Sequence, residues 1–333
     1  MTPLIRAGRR ALGVQLGAGA PFRRITEIMP NAERVVVFYY AVSVLLTARM
    51  IADMHWLGRK TVEWDLLWPL AWAARLDIPL VIEVLSVMAF LTSVLAVQFH
   101  SRRAVRLAFV ATFFLAMTAV NSVGGINHPY HAWFWVGLIL VALPDGRTGA
   151  MNRHNRMSYL TVILSAQAIF MLFYTMAGLY KVYFGVDAII EGVPGNFSFS
   201  ALSWTIADRS LQTGTTPLLA ELIIFNPALA WPAFIAVMYV QVFAIVAVFR
   251  RRLHIAWGYA LIAFHLGTWL LMEIIFVQHI LLLVVLTLLS PFAPGQASVR
   301  AAIYDLPLIG PLLRPRRPPA AATLQNVGNL SDT

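Results

Sequence analysis

A chain of 333 residues that is 59% hydrophobic and only 12% charged lacks the charge to coat a soluble globule of its size. Its formal net charge of +10 would point a soluble protein toward nucleic acid, but here the arginines cluster between apolar runs, as they do in cytoplasmic membrane loops, and no nucleic-acid partner is expected. The absence of cysteine excludes disulfides, thiolate catalysis and cysteine-ligated metal.

Residues 1–30 carry Arg6, Arg9, Arg10, Arg23 and Arg24 beside a weakly apolar, Gly-rich stretch. They read as a cytoplasmic interfacial arm, not a cleaved signal peptide. Apolar runs long enough to span a bilayer, or nearly so, follow at about 35–55, 78–99, 104–121, 130–144, 158–181, 229–249, 254–272 and 274–292. The fourth is short, which fits a tilted or partly re-entrant segment. Between the first two, residues 61–76 carry Trp64, Trp68 and Trp72 among acids and read as a headgroup-level segment. Residues 182–228, with Pro194, Gly195, Gly214 and Pro217, form the longest connection and read as a cap loop on the outer face. Residues 294–333 read as a cytoplasmic tail, rich in Pro, Ala and Arg and partly disordered.

The predicted fold is therefore all-α, a polytopic transmembrane bundle of about eight spans occupying residues 31–293. Orientation follows from the basic residues. Those of the arm, Arg102, Arg103 and Arg106, Arg147, Arg153 and Arg156, Arg250 to Arg252, and those of the tail all fall on one side of an eight-span arrangement. The opposite loops hold only Arg59, Lys60, Arg75 and Arg209. Both termini are thus expected in the cytoplasm, with the protein in a bacterial inner membrane surrounded by its lipids.

Ionisable groups inside spans are costly and point to function by default. Arg49 and Asp53 are four apart, on one helical face near the outer end of the first span, and read as a structural ion pair. Glu83, His128, His131, His265, Glu273, Gln278, His279 and Lys181 all fall in the outer half of this topology. Glu83 also fits a satisfied interhelical carboxylate, His131 and His279 fit interfacial hydrogen-bonders, and His128 fits a helix cap. Lys181 stands out because the chain uses 23 Arg and only two Lys. Lys, unlike Arg, can lose its proton when desolvated and act as a base, although a snorkelling lysine is the plainer reading. His128 and His131 have an H-x-x-H spacing without further histidine pairs to match, so no metal is expected. No G-x-S-x-G, H-E-x-x-H or P-loop is present.

Three stretches taken together resemble the HTTM family, to which the vitamin K-dependent γ-glutamyl carboxylases belong. Asn127-His128-Pro129-Tyr130, followed by an apolar span ending at Leu143-Pro144-Asp145, is similar to the family's N-H-x-Y segment. Phe173 to Lys181 (FYTMAGLYK), with Glu191-Gly192 downstream, is similar to its aromatic-x-x-A-G-x-x-K stretch. Phe264-His265-Leu266 and a last span ending at Ser290-Pro291-Phe292 resemble its final two helices. The resemblance covers about residues 22–293. It implies a lipid quinol of the vitamin K (menaquinol) type, Lys181 as the base that deprotonates it, and His128 as the catalytic histidine. Asn127, Tyr130, Tyr180 and His265 would line the pocket, and carboxylation of a glutamyl peptide arriving from outside would be the reaction. The competing expectation is a non-catalytic accessory or maturation subunit that binds a membrane protein or an exported peptide.

Overall fold

The computed structural model describes residues 22–58, 64–123, 128, 130–293 and 298–313. Asn127, Pro129, most of the basic arm and the end of the tail lie outside the described residues. Among the described residues all regular structure is helical. The helices are α1 (Phe22–Gly58), α2 (Ile78–Phe99), α3 (Arg103–Val120), α4 (His131–Leu140), α5 (Arg153–Glu191), α6 (Ala201–Thr213) and α7 (Ala220–Ile224). They continue with α8 (Pro227–Val242), α9 (Ala244–Phe249), α10 (His254–Met272), α11 (Val277–Leu283), α12 (Val299–Tyr304) and α13 (Ile309–Leu313). A π-helical turn, Val284–Leu288, extends α11.

Five of these elements, α1, α2, α3, α5 and α10, are long and apolar enough to cross a membrane, and α4, α8 and α11 with its π turn are shorter apolar helices. The outward faces agree. Leu80, Val84, Val87, Met88, Leu91, Val94 and Leu95 of α2 are all exposed, an arrangement compatible with an apolar surrounding and costly in water. The inward face of α2 is a stripe of small residues, Ser86, Ala89, Ser93 and Ala96, at helical spacing. Small side chains let the backbones of α1 and α2 approach, and Ser93 Oγ meets Thr47 Oγ1 at 3.1 Å.

Helix limits follow local chemistry. Asp77 caps α2 by accepting from Leu80 N, with a proline in its first turn. Asn152 does the same for α5 through Asn155 N at 2.9 Å. α1 begins well before the apolar run because Ile25, Met29, Ala32 and Val36 recur every three or four residues and are all buried. At the centre of the main core, Tyr39 stacks on Trp133 with ring centroids 4.9 Å apart. Tyr39 Oη donates to the Trp133 carbonyl and Trp133 Nε1 donates to Ser43 Oγ, both at 2.8 Å.

Several expectations are corrected. Lys181 does not end its helix. α5 runs ten residues further, until Gly192 closes it with a left-handed φ of 69° that favours glycine. The 182–228 connection is consequently not a loop but mostly helix, comprising the end of α5, α6, α7 and the first turn of α8. The run at 229–249 is broken at Phe243 into α8 and α9, the first N–H groups of the second piece being free to turn to other acceptors, as Ile245 N does to Thr175 Oγ1 at 3.0 Å. Arg106, grouped in the sequence with the turn arginines Arg102 and Arg103, is completely buried. Its guanidinium donates to the carbonyls of His100, Val141 and Leu143 and to Asp145 Oδ1.

α5 and α8 touch at Gly178, where a Cβ would stand 2.5 Å from Val242 N and 2.9 Å from the carbonyl carbon of Gln241. These are backbone atoms that cannot rotate away. Gly178→Ala should therefore cost about 1–3 kcal/mol and lower the midpoint of thermal unfolding in detergent. Gly267→Ala, where nothing lies within 4 Å of the added carbon, should raise it by the equivalent of about 0.5–1 kcal/mol.

Candidate functional site

Several of the polar residues singled out in the sequence gather at one end of the bundle, where the start of α4, the end of α10 and the start of α11 meet α5. The turn between α10 and α11 is built to bring two histidines together. Glu273 takes a left-handed backbone, φ 56°, unusual for a residue with a Cβ and a way to reverse the chain within a few residues. Thr268 Oγ1 lies 2.8 Å from the His265 carbonyl and 3.0 Å from that of Ile274, pinning both sides of the reversal. Glu273 Oε2 accepts from Thr215 Oγ1 at 3.0 Å, and Leu219 N donates to Leu270 O, so the α6–α7 link closes over this turn.

Inside the turn the rings of His265 and His279 lie 5.7 Å apart, centroid to centroid. His265, only 3% exposed, shares a 2.7 Å hydrogen bond through Nε2 with the hydroxyl of Tyr174 on α5. The Nδ1 atoms of His265 and His279 are both buried and have no hydrogen-bond partner among the described residues. Around them stand aromatic rings. Phe170 and Phe276 are 6.1 and 5.5 Å from His279, and Phe264 is 5.0 Å from His265. Buried imidazole nitrogens are nearly always paired in proteins, so two without a partner among the described residues, beside aromatic rings, single this place out as the candidate site.

α4 contributes a second layer. His128 and His131 approach through their Nδ1 atoms at 3.4 Å, and Asn121 Nδ2 lies 3.3 Å from His131 Nε2. His279 is within electrostatic reach of both histidines. Tyr130, 6% exposed, packs its ring edge-on against Phe113, and its hydroxyl bonds the side chain of Gln278, the neighbour of His279. Arg49 and Asp53, whose Nε and Oδ2 are 3.5 Å apart, lie within electrostatic reach of the same tyrosine. Glu83 pairs with His55 across α1 and α2 at 3.6 Å.

Of the residues singled out in the sequence, His128, Tyr130 and His265 are thus brought together, with Arg49 and Asp53 at the margin. Asn127 lies outside the described residues. Lys181 is set apart from the histidines. It is half-buried, its Nζ reaches only the Ala177 carbonyl at 3.5 Å, and its own carbonyl accepts from Asn196 Nδ2 at 2.9 Å. It shares a helical face with Tyr174, seven residues earlier, and so stands about 10 Å further along α5. Tyr180 is not part of the enclosure. It sits one residue off that face, is 66% exposed, and packs against Phe184. Trp133 is a core residue, and Phe173 and Trp269 face outward. The rings around the histidines are those of Phe170, Tyr174, Phe264 and Phe276.

Tyr174 was visible only as part of an aromatic run. Its heptad relation to Lys181 was the available signal. A second buried polar group, further along the same helices, went unnoticed. His254 bonds Ser290 Oγ and the Val248 carbonyl, and Gln167 Nε2 donates to Ser290 Oγ and the Leu286 carbonyl. Among the described residues no group of three His, Asp or Glu side chains has the spacing to hold a metal ion. Compared with known family models, curated proteins and solved structures, the chain matches none.

Tyr174→Phe removes the single partner of a buried imidazole nitrogen, and a cost of about 1–3 kcal/mol is expected, seen as a lower unfolding midpoint in detergent. Tyr180→Phe should leave the midpoint unchanged. Equal effects at the two positions would contradict the enclosure described here.

Proposed function

We propose that this chain is an HTTM-type membrane protein, with about eight crossings and both termini in the cytoplasm, in a bacterial cytoplasmic membrane. We further propose that its imidazole–phenol enclosure receives the head of a lipid quinol of the vitamin K type and accepts a hydroxyl proton from it. The observation carrying this reading is the pair of buried, unpartnered Nδ1 atoms of His265 and His279 within aromatic walls. A neutral imidazole offers one donor and one acceptor nitrogen, the complement of a ring hydroxyl or ring carbonyl, and flat aromatic neighbours accommodate a flat ring. Tyr174 fixes the orientation of His265 through its 2.7 Å bond.

A quinol bound here supplies an acidic hydroxyl whose deprotonation prepares it for reaction with oxygen, the chemistry that drives carboxylation in the resembling family. On that analogy Lys181 is the stronger base. It lies on the same face of α5 as Tyr174, and a quinol ring long enough to reach past Tyr174 would bring a hydroxyl toward it. On this reading the crossings beyond the five long apolar helices would fall to the shorter apolar helices α4, α8 and α11 with its π turn. α4 has ten residues, about 15 Å of helix, and would need its flanking residues to complete a crossing. The second reading, an accessory subunit, is favoured by Trp204, Leu211, Leu218 and Phe225 of the α6–α7 region, all exposed apolar side chains that an exported peptide or a membrane partner would cover.

Two experiments test these readings. For topology, Thr205→Cys should react with an impermeant thiol reagent on intact cells and Ala150→Cys should not. The chain has no cysteine of its own to interfere, and the opposite pattern would invert the membrane orientation. For the ligand, protein purified in native lipid discs should carry an isoprenoid quinone above its ratio in bulk lipid, by extraction and mass spectrometry. The double substitution His265→Leu with His279→Leu should remove that enrichment, whereas Lys181→Arg should keep the quinone and lose carboxylation or epoxide formation. No enrichment in the unaltered protein defeats the quinol reading.

A further inference from the structure

We propose that the groove between α1 and α2 at the basic end of the bundle binds one anionic glycerophospholipid, with an acyl chain against Ala41 and Val44 and the phosphate held by Arg34 and Arg102. This rests on the reading of the chain as membrane-embedded and is independent of the quinol site.

Between α1 and α2 the outward side of the bundle opens into a groove of about 540 Å³, within the roughly 300–1,000 Å³ of ligand pockets. Residue size makes it. Ala41 and Val44 line it from α1, and the exposed Val94, Leu95 and Phe99 line it from α2. Phe38 and Leu45, three residues before and four after Ala41, share its helical face and are exposed. A small residue between two large outward-facing ones leaves a slot on α1. In a bilayer such a slot is filled by lipid, and a chain laid in it touches both helices at once.

Apolar contact alone would hold any lipid, so selection falls to the head. Arg102 Cζ lies 5.4 Å from the centroid of the Phe99 ring, which fixes a cation on a residue of the groove. Arg34 is seven residues before Ala41, on the same face of α1 and about 10 Å nearer the basic end. Its neighbour Glu33 meets His100 Nε2 at 3.4 Å, so this turn of α1 stands beside the α2–α3 connection that carries Arg102. Other arginines at this end are engaged. Arg106 donates to carbonyls and Asp145, Arg156 to Met151 O, Arg251 to Phe292 O and Arg252 to Asp305. Among the described residues Arg34 has a long 3.4 Å bond to Asn31 Oδ1, Arg102 has the Phe99 ring, and neither pairs with a carboxylate. Guanidinium forks match phosphate oxygens two at a time. Gln98, also in the groove, supplies an amide donor for an ester carbonyl. A net anionic head is preferred because no ammonium of its own cancels the phosphate charge beside these arginines.

The test is native mass spectrometry of the full chain, purified in detergent and offered equal amounts of phosphatidylglycerol and phosphatidylethanolamine with the same acyl chains. The intact chain should retain phosphatidylglycerol preferentially. Arg34→Gln and Arg102→Gln should each lower that preference roughly fivefold, and Ala41→Trp, which fills the groove, should remove the bound lipid. Arg34 and Arg102 are exposed, so their variants should keep the unfolding midpoint measured without added lipid. Arg153→Gln combined with Arg300→Gln removes two exposed arginines that do not line the groove and should leave the preference intact. An equal loss in that control makes retention a property of the whole basic face and overturns the site. Retention of phosphatidylglycerol in Ala41→Trp, or no preference in the unaltered chain, overturns it as well. An unchanged preference in both arginine variants overturns it whether or not Ala41→Trp folds. A chain that stays in solution without detergent and does not enter lipid discs removes the membrane reading and this site with it.

Discussion

Arg106 is buried completely at the end of the bundle opposite the histidines, and its guanidinium gathers three backbone carbonyls from two different connections. A cation without solvent around it is expensive unless its donors are filled, and breaking such a cluster typically costs about 3–5 kcal/mol. Asp145 adds a carboxylate acceptor and also accepts from Arg103 N at 2.6 Å, while Arg106 Nε has no partner among the described residues. The α2–α3 turn and the residues following α4 are thereby held as one unit, and Gly146 N adds a bond to Ser101 O. Glu33 extends the same network to α1, accepting from Thr148 Oγ1 and contacting His100 Nε2 at 3.4 Å. A ten-residue helix such as α4 is too short to position itself. Clamped at its C-terminal end by Arg106 and along its length by Trp133 on Tyr39, it presents His131 to α11 at the other end.

The second organising feature is the contact of α5 with α10 and α11, where polar side chains recur in two groups. Gln167 and Tyr174 are seven apart on α5, His254 and His265 eleven apart on α10, and His279 and Ser290 eleven apart on the final segment. On α5 and α10 these intervals return a residue to the same helical face, whereas Ser290 follows the π turn that ends the final segment. Polar pairs between apolar helices are each worth only about 0.6–2 kcal/mol, yet they define register, because a slip of one residue would strand them in apolar surroundings. The inner group is nearly satisfied, with one orphan at Gln167 Oε1. Between the groups lie Met171, Leu261 and Leu282, all buried and apolar.

What the sequence carries and what it withholds separate along physical lines. Ile78–Phe99 and His254–Met272 coincide with runs seen beforehand, since each is bounded by a cap, a turn or a charged cluster. Helix continuation past Lys181 was missed because one charged residue does not stop a helix. The following residues through Ile190 remain compatible with it, and the stop comes from Gly192. The break at Phe243 has no proline or glycine to announce it and depends on Thr175 from another helix. Arg106 looked like its neighbours Arg102 and Arg103 because composition cannot say which basic side chain turns inward. Histidines 128 and 265 were legible as polar residues in the same half of the expected topology, whereas the pairing of Tyr174 with His265 joins positions 91 apart and belongs to the tertiary fold.

The same geometry bears on where proposed chemistry would sit. A base must lie within about 2.6–3.2 Å of the proton it takes. A rise of roughly 10 Å separates the Lys181 and Tyr174 backbones along α5, more than one hydrogen bond spans. A two-ring quinol has hydroxyls on opposite edges, and an enclosure with imidazoles at one end and an amine further along α5 suits a ring spanning the interval better than a single point of contact. Under that arrangement the histidines would anchor and deprotonate one edge while Lys181 addressed the other. Lys181 would then be released from its 3.5 Å contact with Ala177 O, a weak bond at the edge of hydrogen-bonding distance whose loss costs little. The position of the lysine away from the histidines is therefore a constraint on ligand size, not an argument against its participation.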